Sequence, residues 1–551
     1  MKGVPYDRHS RGSSCRGLFD NGSRRGRPSG RPFSSGGPAS THRPVRDAVN
    51  GVPYIWRVAY RRHARRLALL LLAVVSMAHV GSPDTFFAGK AGPYDVRVSV
   101  RLPGVIPGRA QVTVRVEGAK TTGLHRVAIR AGQWNVGLKG APPPEDAAPV
   151  PGDPSLFASE LWFMTANSYE LGITVDGPDG HGEAIIPVLA LATAERQMPS
   201  WLGSVLAALG LFLTAGLLTI VGAAVRESHL APGAEPDRVR RRRARIGIAV
   251  TAILAGLALW GGNVWWTAEA NSYKAFVLYR PFTAAAALST KGDRRMLTLS
   301  IRDPRWTGRP IPESRYNALI PDHGKLMHLF LVREGEPNAV AHLHPIAQTP
   351  AGLDFDADVP ALPAGRYRVY ADIVHESGYA QTLIASVDLE GDASEPSALP
   401  SDPDDSWFSG ATTPEAASAS AELGDGTRLV WERGTTPTIA GVERDLRFAV
   451  RDRSGADVEV EPYMGMASHL LVASVDGSVF AHLHPSGSIS MGAMHRFAGD
   501  DPHADHAMLL DSRIAIPYAF PKAGRYRLFV QVKREGKVRT AAFDVDARPS
   551  I

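Results

Sequence analysis

Residues 201–225 and 246–266 contain no charged side chain, and each is about as long as the ~20 residues that a helix needs to cross a bilayer. In hydrocarbon a segment must satisfy its own backbone hydrogen bonds, so both are expected as transmembrane helices. Between them, residues 226–245 carry seven arginines against Glu227, Glu235 and Asp237. The positive-inside rule puts that loop in the cytoplasm, with residues 83–200 and 267–551 in the periplasm or outside the cell. Trp201, Trp260, Trp265 and Trp266 fall near the expected interfaces, where indole rings are favoured. The inner (cell) membrane is the expected location.

Upstream, "RRHARRLALLLLAVVSMAHVGS" joins a basic flank, an apolar stretch and the small-x-small "SMA", the pattern of a secretory signal peptide. An uncleaved anchor over residues 67–82 is the alternative and makes a third spanning helix. Residues 1–66 are basic and low in complexity, with fifteen Lys/Arg against three Asp, and read as a disordered leader. This segment and the 226–245 loop contribute +12 and +4 to a net charge of +6, so the rest of the chain sums to about −10. The globular mass is acidic, which argues against a nucleic-acid partner. Cys15, the single cysteine, lies in the leader, so metal chemistry elsewhere must use His, Met and carboxylates.

Alternating apolar and polar residues in "YDVRVSVRL", "AQVTVRVEG" and "YELGITVDG", separated by Gly/Pro turns, make residues 83–200 an all-β sandwich. It shows no catalytic constellation, and His125 is read as structural or exposed. Residues 267–551 hold an internal duplication. "LTLSIRD" matches "LRFAVRD", "PDHGKLMH" matches "PYMGMASH", and "AHLHP" and "AGRYR" each occur twice in the same order. Sandwich repeats are therefore expected at 267–395 and 420–551, joined by a Ser/Ala/Pro/Asp-rich linker at 396–419. The expected fold is mainly β: three extracytoplasmic β-sandwich (Ig-like) domains plus two or three transmembrane helices.

Histidine spacing gives the duplication a chemical reading. If Asp476-Gly477 is a two-residue hairpin turn, opposed positions sum to 953, so His469 faces His484 and Leu471 faces His482. Side chains alternate with period two, which puts His469, His482 and His484 on one face. Opposed Cβ atoms lie roughly 5 Å apart and i, i+2 neighbours roughly 7 Å, close enough for three imidazoles to share an ion. In the first copy His328 and His344 centre on Glu336, and a three-residue loop again puts His328, His342 and His344 on one face. Five positions upstream, His323 and Lys325 align with Met464 and Met466. Imidazole suits copper, zinc, iron or nickel, whereas thioether sulfur selects Cu(I). Strict alternation points both methionines to the opposite face, so they join the site only if the chain bends near Ala467. Between "HLHP" and "AGRYR" the second copy gains a loop containing Met491, Met494, His495, His503, His506 and Met508.

"PYMGMASH", "FAHLHP" and "AGRYR" resemble the YtkA-like family of extracytoplasmic β-sandwich domains and, more loosely, periplasmic copper-binding resistance proteins. The resemblance covers about residues 280–395 and 420–547. It implies metal handling, with Met464, Met466, His469, His482 and His484 as matched positions. The first copy departs from the methionine pattern at His323 and Lys325. The expected function is non-enzymatic: copper capture, relay or resistance, with Cu(I) favoured in the second repeat and zinc as the alternative ion. Expected partners are the metal ion, the bilayer and another extracytoplasmic metal-handling protein. Two other readings compete. One is a cupin-like metalloenzyme, against which neither "HLHPIAQT" nor "HLHPSGSI" supplies a neighbouring carboxylate. The other is an adhesion or assembly module with incidental histidines.

Overall fold

The computed structural model describes residues 79–80, 84–117, 123–124, 126–291, 294–303, 318–350, 352–390, 402–415, 418–498 and 513–550. The expected leader, His125, His503, His506 and Met508 lie outside the described residues, as does the expected signal segment apart from residues 79 and 80. The described residues belong to one compact unit, Val75–Ile551.

Alternation in the first outer region becomes two antiparallel sheets. Strands Thr85–Ala91, Tyr94–Arg101, Gly108–Glu117, Asp153–Phe163 and Ala148–Val150 form one, in that order, and Gly180–Ala190, Asn167–Gly177, Arg126–Gln133 and Glu145–Asp146 form the other. Val96, Val98, Val100, Val112, Val114 and Val116 meet Leu171, Ile173 and Val175 in a shared core, as a period-two pattern requires when two sheets stack.

Two helices, Ser200–Glu227 and Arg238–Phe276, are long and apolar enough to cross a membrane. The second extends beyond the expected apolar span at both ends, because arginine and alanine are strong helix formers and hydropathy does not mark where a helix stops. The 226–245 loop therefore shrinks to the residues between the helices, and six of its seven arginines lie on the second helix. Asp237 caps that helix by accepting from the Arg240 amide at 2.7 Å. Gly222 lets the pair approach closely, since a Cβ there would lie 2.8 Å from Ile248 Cδ1.

Both repeats are two-sheet units of matching construction. In the first, Ala284–Lys291, Arg294–Ile301, Asp354–Asp358 and Ile346–Ala347 oppose a sheet containing Gly365–His375, His328–Arg333 and Ala339–Leu343. In the second, Ser418–Glu422, Arg428–Glu432, Arg444–Arg451 and Arg513–Tyr518 oppose Val479–Leu483, His469–Ser474, Gly524–Arg534 and Lys537–Ala547. His79–Val80 adds to the edge of the second by parallel pairing with Val479 and Phe480. Each "AGRYR" opens an equivalent strand, and its buried tyrosine donates to the carbonyl four residues back: Tyr367 to Pro363 at 2.8 Å and Tyr526 to Lys522 at 2.7 Å.

The segment read as a linker is not a plain connection. Residues Ser406–Ser409 form a strand against Ala339–His342, extending the first repeat's sheet. Composition missed this because strand formation here depends on Trp407 and Phe408 meeting a sheet edge, not on local propensity.

The two histidine-bearing sheets face each other. Phe330, Val332, Val340 and Tyr370 of the first repeat pack with Leu471, Ala473, Phe480, Phe529 and Ala542 of the second. Tyr370 and Phe480 stack with ring centroids 4.0 Å apart and planes 6° from parallel. Both faces of each hairpin are thus buried, one in its own repeat and one between the repeats. Phe480→Ala is expected to cost about 3–5 kcal/mol, measured by chemical unfolding of the detergent-solubilised protein. An unchanged transition would contradict this packing.

Candidate metal centre

Strand pairing follows the expected registers. Leu471 opposes His482 and Leu470 opposes Leu483, while Phe330 opposes His342 and Leu329 opposes Leu343. The loops are longer than expected: residues 475–478 connect the second hairpin, and 334–338 the first. Asp476 shapes the former by accepting from the Ser478 amide at 3.0 Å and Ser474 Oγ at 2.7 Å. A longer loop with the same symmetry axis leaves every side chain on its expected face.

Upstream of each hairpin lies a tight turn. Asp322 and Lys325 exchange backbone hydrogen bonds at 2.8 and 2.9 Å, as do Tyr463 and Met466 at 2.8 and 3.1 Å. Their central residues have positive φ: His323 at 53° with Gly324 at 81°, and Met464 at 50° with Gly465 at 81°. This is the type I′ pattern, whose first central position usually holds Asn, Asp or Gly rather than His or Met. The second of these turns lies just before Ala467, where a bend is the condition for the methionines to reach the histidine face. It brings the Met464 carbonyl to 2.9 Å from His323 Nδ1. Met466 is buried and Met464 half-buried.

Seven imidazoles meet between the repeats. His323, His469 and His484 form one group in which a nitrogen of each lies within 4.8 Å of the others, and His328, His342 and His344 form a second on the same criterion. His482 stands between them, its ring 4.5 Å from His484, 5.3 Å from His469, 5.4 Å from His328 and 5.5 Å from His342. Five of the seven residues are buried, and the side chains of the other two, His323 and His482, are each 4% exposed.

Surrounding groups fix how several rings are turned. His323 Nδ1 donates to the Met464 carbonyl, and His328 Nε2 donates to the Asp322 carbonyl at 3.1 Å. His342 Nδ1 faces Gln531 Oε1 at 2.9 Å, with the Gln531 amide nitrogen directed at Ser406 Oγ, 2.7 Å away. Tyr463 Oη lies 3.2 Å from the same His342 nitrogen and donates to the Asp404 carbonyl at 3.0 Å. His344 Nδ1 bonds Asp405 Oδ1 at 2.9 Å, and His482 Nδ1 is 3.4 Å from Asp372 Oδ2. Outer partners of this kind orient metal-ligating histidines and leave the second nitrogen as a lone pair. In this orientation His328 Nδ1 and His342 Nε2 present lone pairs to each other at 3.0 Å, a contact that a cation relieves.

The remaining nitrogens point the same way. His323 Nε2, His344 Nε2, His482 Nε2 and both nitrogens of His469 and of His484 are buried without a hydrogen-bond partner. Leaving a polar group in that state costs about 1–3 kcal/mol each, so this concentration in one place needs a ligand or a function to explain it. Burial first, and then mutual proximity of the rings, push His342, His344 and His469 well below the usual 6.5. Burial and neighbouring rings likewise lower His482 and His484 well below 6.5, and His328 is lowered chiefly by burial. Neutral imidazole is the metal-binding form.

Sequence reasoning missed the carboxylates. Asp402 and Asp405 come from the presumed linker, where "SDPDDSW" was the available signal, and Asp372 lies mid-strand after "AGRYR". Carboxylates absent beside the HLHP motifs in sequence are therefore beside them in three dimensions. Burial raises Asp372 to about 6 and Asp405 to about 7. A cavity of about 160 Å³ reaches the centre between the first sandwich and the repeats, with Asp322, Asp372, His482 and His484 among its lining. The added loop contributes the helix Met491–Ala498, whose Gly492 amide donates to Asp322 Oδ1 at 2.8 Å and whose Met494 packs on the first sandwich.

Linkage gives a pH prediction for the metal-free protein. Histidines lowered in the fold leave it losing stability as pH falls below about 6.5, because the unfolded chain takes protons that the cluster refuses. The raised Asp372 and Asp405 act oppositely between the usual 3.8 and about 6 to 7. Six lowered histidines outnumber the raised groups that act oppositely, Asp84, Glu170, His181, Asp372 and Asp405, so the melting temperature should drop between pH 7 and pH 5. A rise over that interval would contradict the burial of neutral rings.

One family model, "Domain of unknown function (DUF8832)", matches residues 282–390 and 421–549. These two segments coincide with the two repeats that carry the histidines. No curated protein matches the chain. Among solved structures, E. coli alpha-2-macroglobulin is similar at 8% identity and TM-score 0.18, over 86% of this chain but 23% of that one. A putative membrane anchored protein from Corynebacterium diphtheriae is similar at 10% identity and TM-score 0.13, over 85% and 96% of the two chains. Latent PorU from Porphyromonas gingivalis is similar at 8% identity and TM-score 0.13, over 84% and 34%. Scores this low assign no shared architecture.

Proposed function

We propose that this chain is a membrane-anchored, extracytoplasmic metal-binding protein that captures or relays copper without catalysis. The observation that carries the reading is the burial of seven histidine side chains, five with nitrogens that lack a hydrogen-bond partner and two, His328 and His342, with inward nitrogens facing each other, while carbonyl, carboxamide and carboxylate groups hold several outer nitrogens. All-imidazole coordination suits copper and admits zinc. Met464 and Met466 sit on the turn whose Met464 carbonyl meets His323, and this reading assigns their thioethers as soft donors. In this reading the two apolar helices serve as the anchor, and the arginines around their junction support an outward-facing orientation of the repeats by the positive-inside rule. Carboxylates along the cavity favour arrival of a cation.

The test uses full-length protein in detergent, exposed separately to Cu(I), Cu(II) and Zn(II) and then freed of loose metal. Wild type should retain stoichiometric copper, and His482→Ala/His484→Ala should lose at least half of it while keeping a cooperative thermal transition. Equal retention by both proteins would refute the assignment. Retention of zinc but not copper would move the ion and keep the site.

A second reading, a metalloenzyme, is favoured by the carboxylates near His344 and His482 and by the cavity that reaches His484. Oxygen consumption by the copper-loaded protein with a reductant, above the rate of the same copper in buffer, would put this reading ahead of capture and relay.

A further inference from the structure

We infer that the cluster holds two metal ions side by side, one of them in a position that neither repeat can build alone. This inference rests on the proposed metal-binding function and concerns the number and placement of the ions. Seven imidazoles exceed what one copper or zinc ion accepts, since these ions take about four ligands in nitrogen-rich protein sites. A single ion would leave about three buried rings with lone pairs unmatched.

The rings also divide by position. His323, His469 and His484 converge as one triad, and His328, His342 and His344 as another. Nitrogens within 4.8 Å of one another lie at most about 2.8 Å from a common point, so small ring movements reach the ~2.0 Å of a metal–imidazole bond. The second triad comes wholly from the first repeat. The first triad takes His469 and His484 from the second repeat and His323 from the first, whose turn crosses to the Met464 carbonyl. His323 replaces the methionine found at the equivalent turn position of the second repeat, which breaks the symmetry of the duplication.

His482 completes the division. Its ring is within 5.5 Å of rings in both triads, and Asp372 faces its Nδ1, leaving Nε2 to serve one ion. Seven donors thus split into three and four. Compensating charge for two adjacent cations is at hand. Asp405 and Asp402 stand 2.9 and 3.8 Å from His344 Nδ1, Asp372 is beside His482, and Asp322 Oδ1 is 3.9 Å from His323 Nε2.

The experiment counts copper and spins in full-length, detergent-solubilised protein loaded with Cu(I), freed of loose metal and then oxidised. Two copper ions per chain are expected, with an integrated Cu(II) resonance well below two spins because neighbouring ions couple. His469→Ala/His484→Ala should retain one ion and recover one full spin, and His342→Ala/His344→Ala should do the same. One ion per wild-type chain would overturn the two-ion centre while leaving the metal-binding function standing. No retained copper would overturn both. A variant pair that empties both positions would overturn their division into separate triads, and circular dichroism reports whether that variant is still folded.

Discussion

Face-to-face packing of two hairpin sheets is the contact on which the remaining structure depends. Phe330, Tyr370, Phe480 and Phe529 close one end of that interface as an apolar layer, and the strands of Phe330 and Phe480 carry His328 and His482 into the other end. A histidine face on a single hairpin would be solvated, its rings wet and protonatable near neutrality. Covering it with a second such face desolvates both, keeps the rings neutral and aims their nitrogens at one another. The apolar layer supplies burial free energy that offsets the cost of withdrawing so many polar rings from water.

Duplication explains how such an interface is specified. A repeated sheet presents the same register of side chains twice, so histidines at matching positions meet when the copies pack together. Symmetry is then broken locally: His323 stands where the second copy has Met464, Lys325 where it has Met466, and only the second copy inserts the helix Met491–Ala498. The first sandwich joins through the turn after the second HLHP. Ala88 donates to the Ser486 carbonyl at 2.9 Å and Ser488 to the Phe86 carbonyl at 3.0 Å. At Gly487, with φ of 113°, a Cβ would lie 2.0 Å from the Phe86 carbonyl oxygen, so only glycine permits this approach. The first sandwich thereby walls the cavity that leads to His484.

Hairpin registers were legible in the sequence because alternation and a turn together fix which residues oppose, whatever the loop length. That put His469, His482 and His484 on one face, and His328, His342 and His344 on another. What lies opposite a face was not legible, since periodicity says that a surface is special without saying what covers it. Two sites, one per repeat, were the expectation; His323 crossing to His469 and His484 depends on tertiary packing alone. Asp402 and Asp405 were hidden by composition, which marks a Ser/Ala/Pro/Asp-rich stretch as a connection even where Trp407 and Phe408 dock it on a sheet edge. Likewise Asp372 and Gln531 sit in strands far along the chain from the HLHP motifs, and only the fold brings them to His482 and His342. The apolar helices were plain from hydropathy, but their ends were not, because helix propensity carries the second one into the arginine run and past Trp266.

The central claim is that imidazoles from both repeats ligate metal in one shared centre. X-ray absorption at the copper edge of the loaded full-length protein tests it most directly. The account predicts a nitrogen first shell with the outer-shell scattering of several imidazole rings, and the loss of part of that scattering in a His323→Ala variant. A first shell dominated by sulfur, or by oxygen without imidazole scattering, would contradict it.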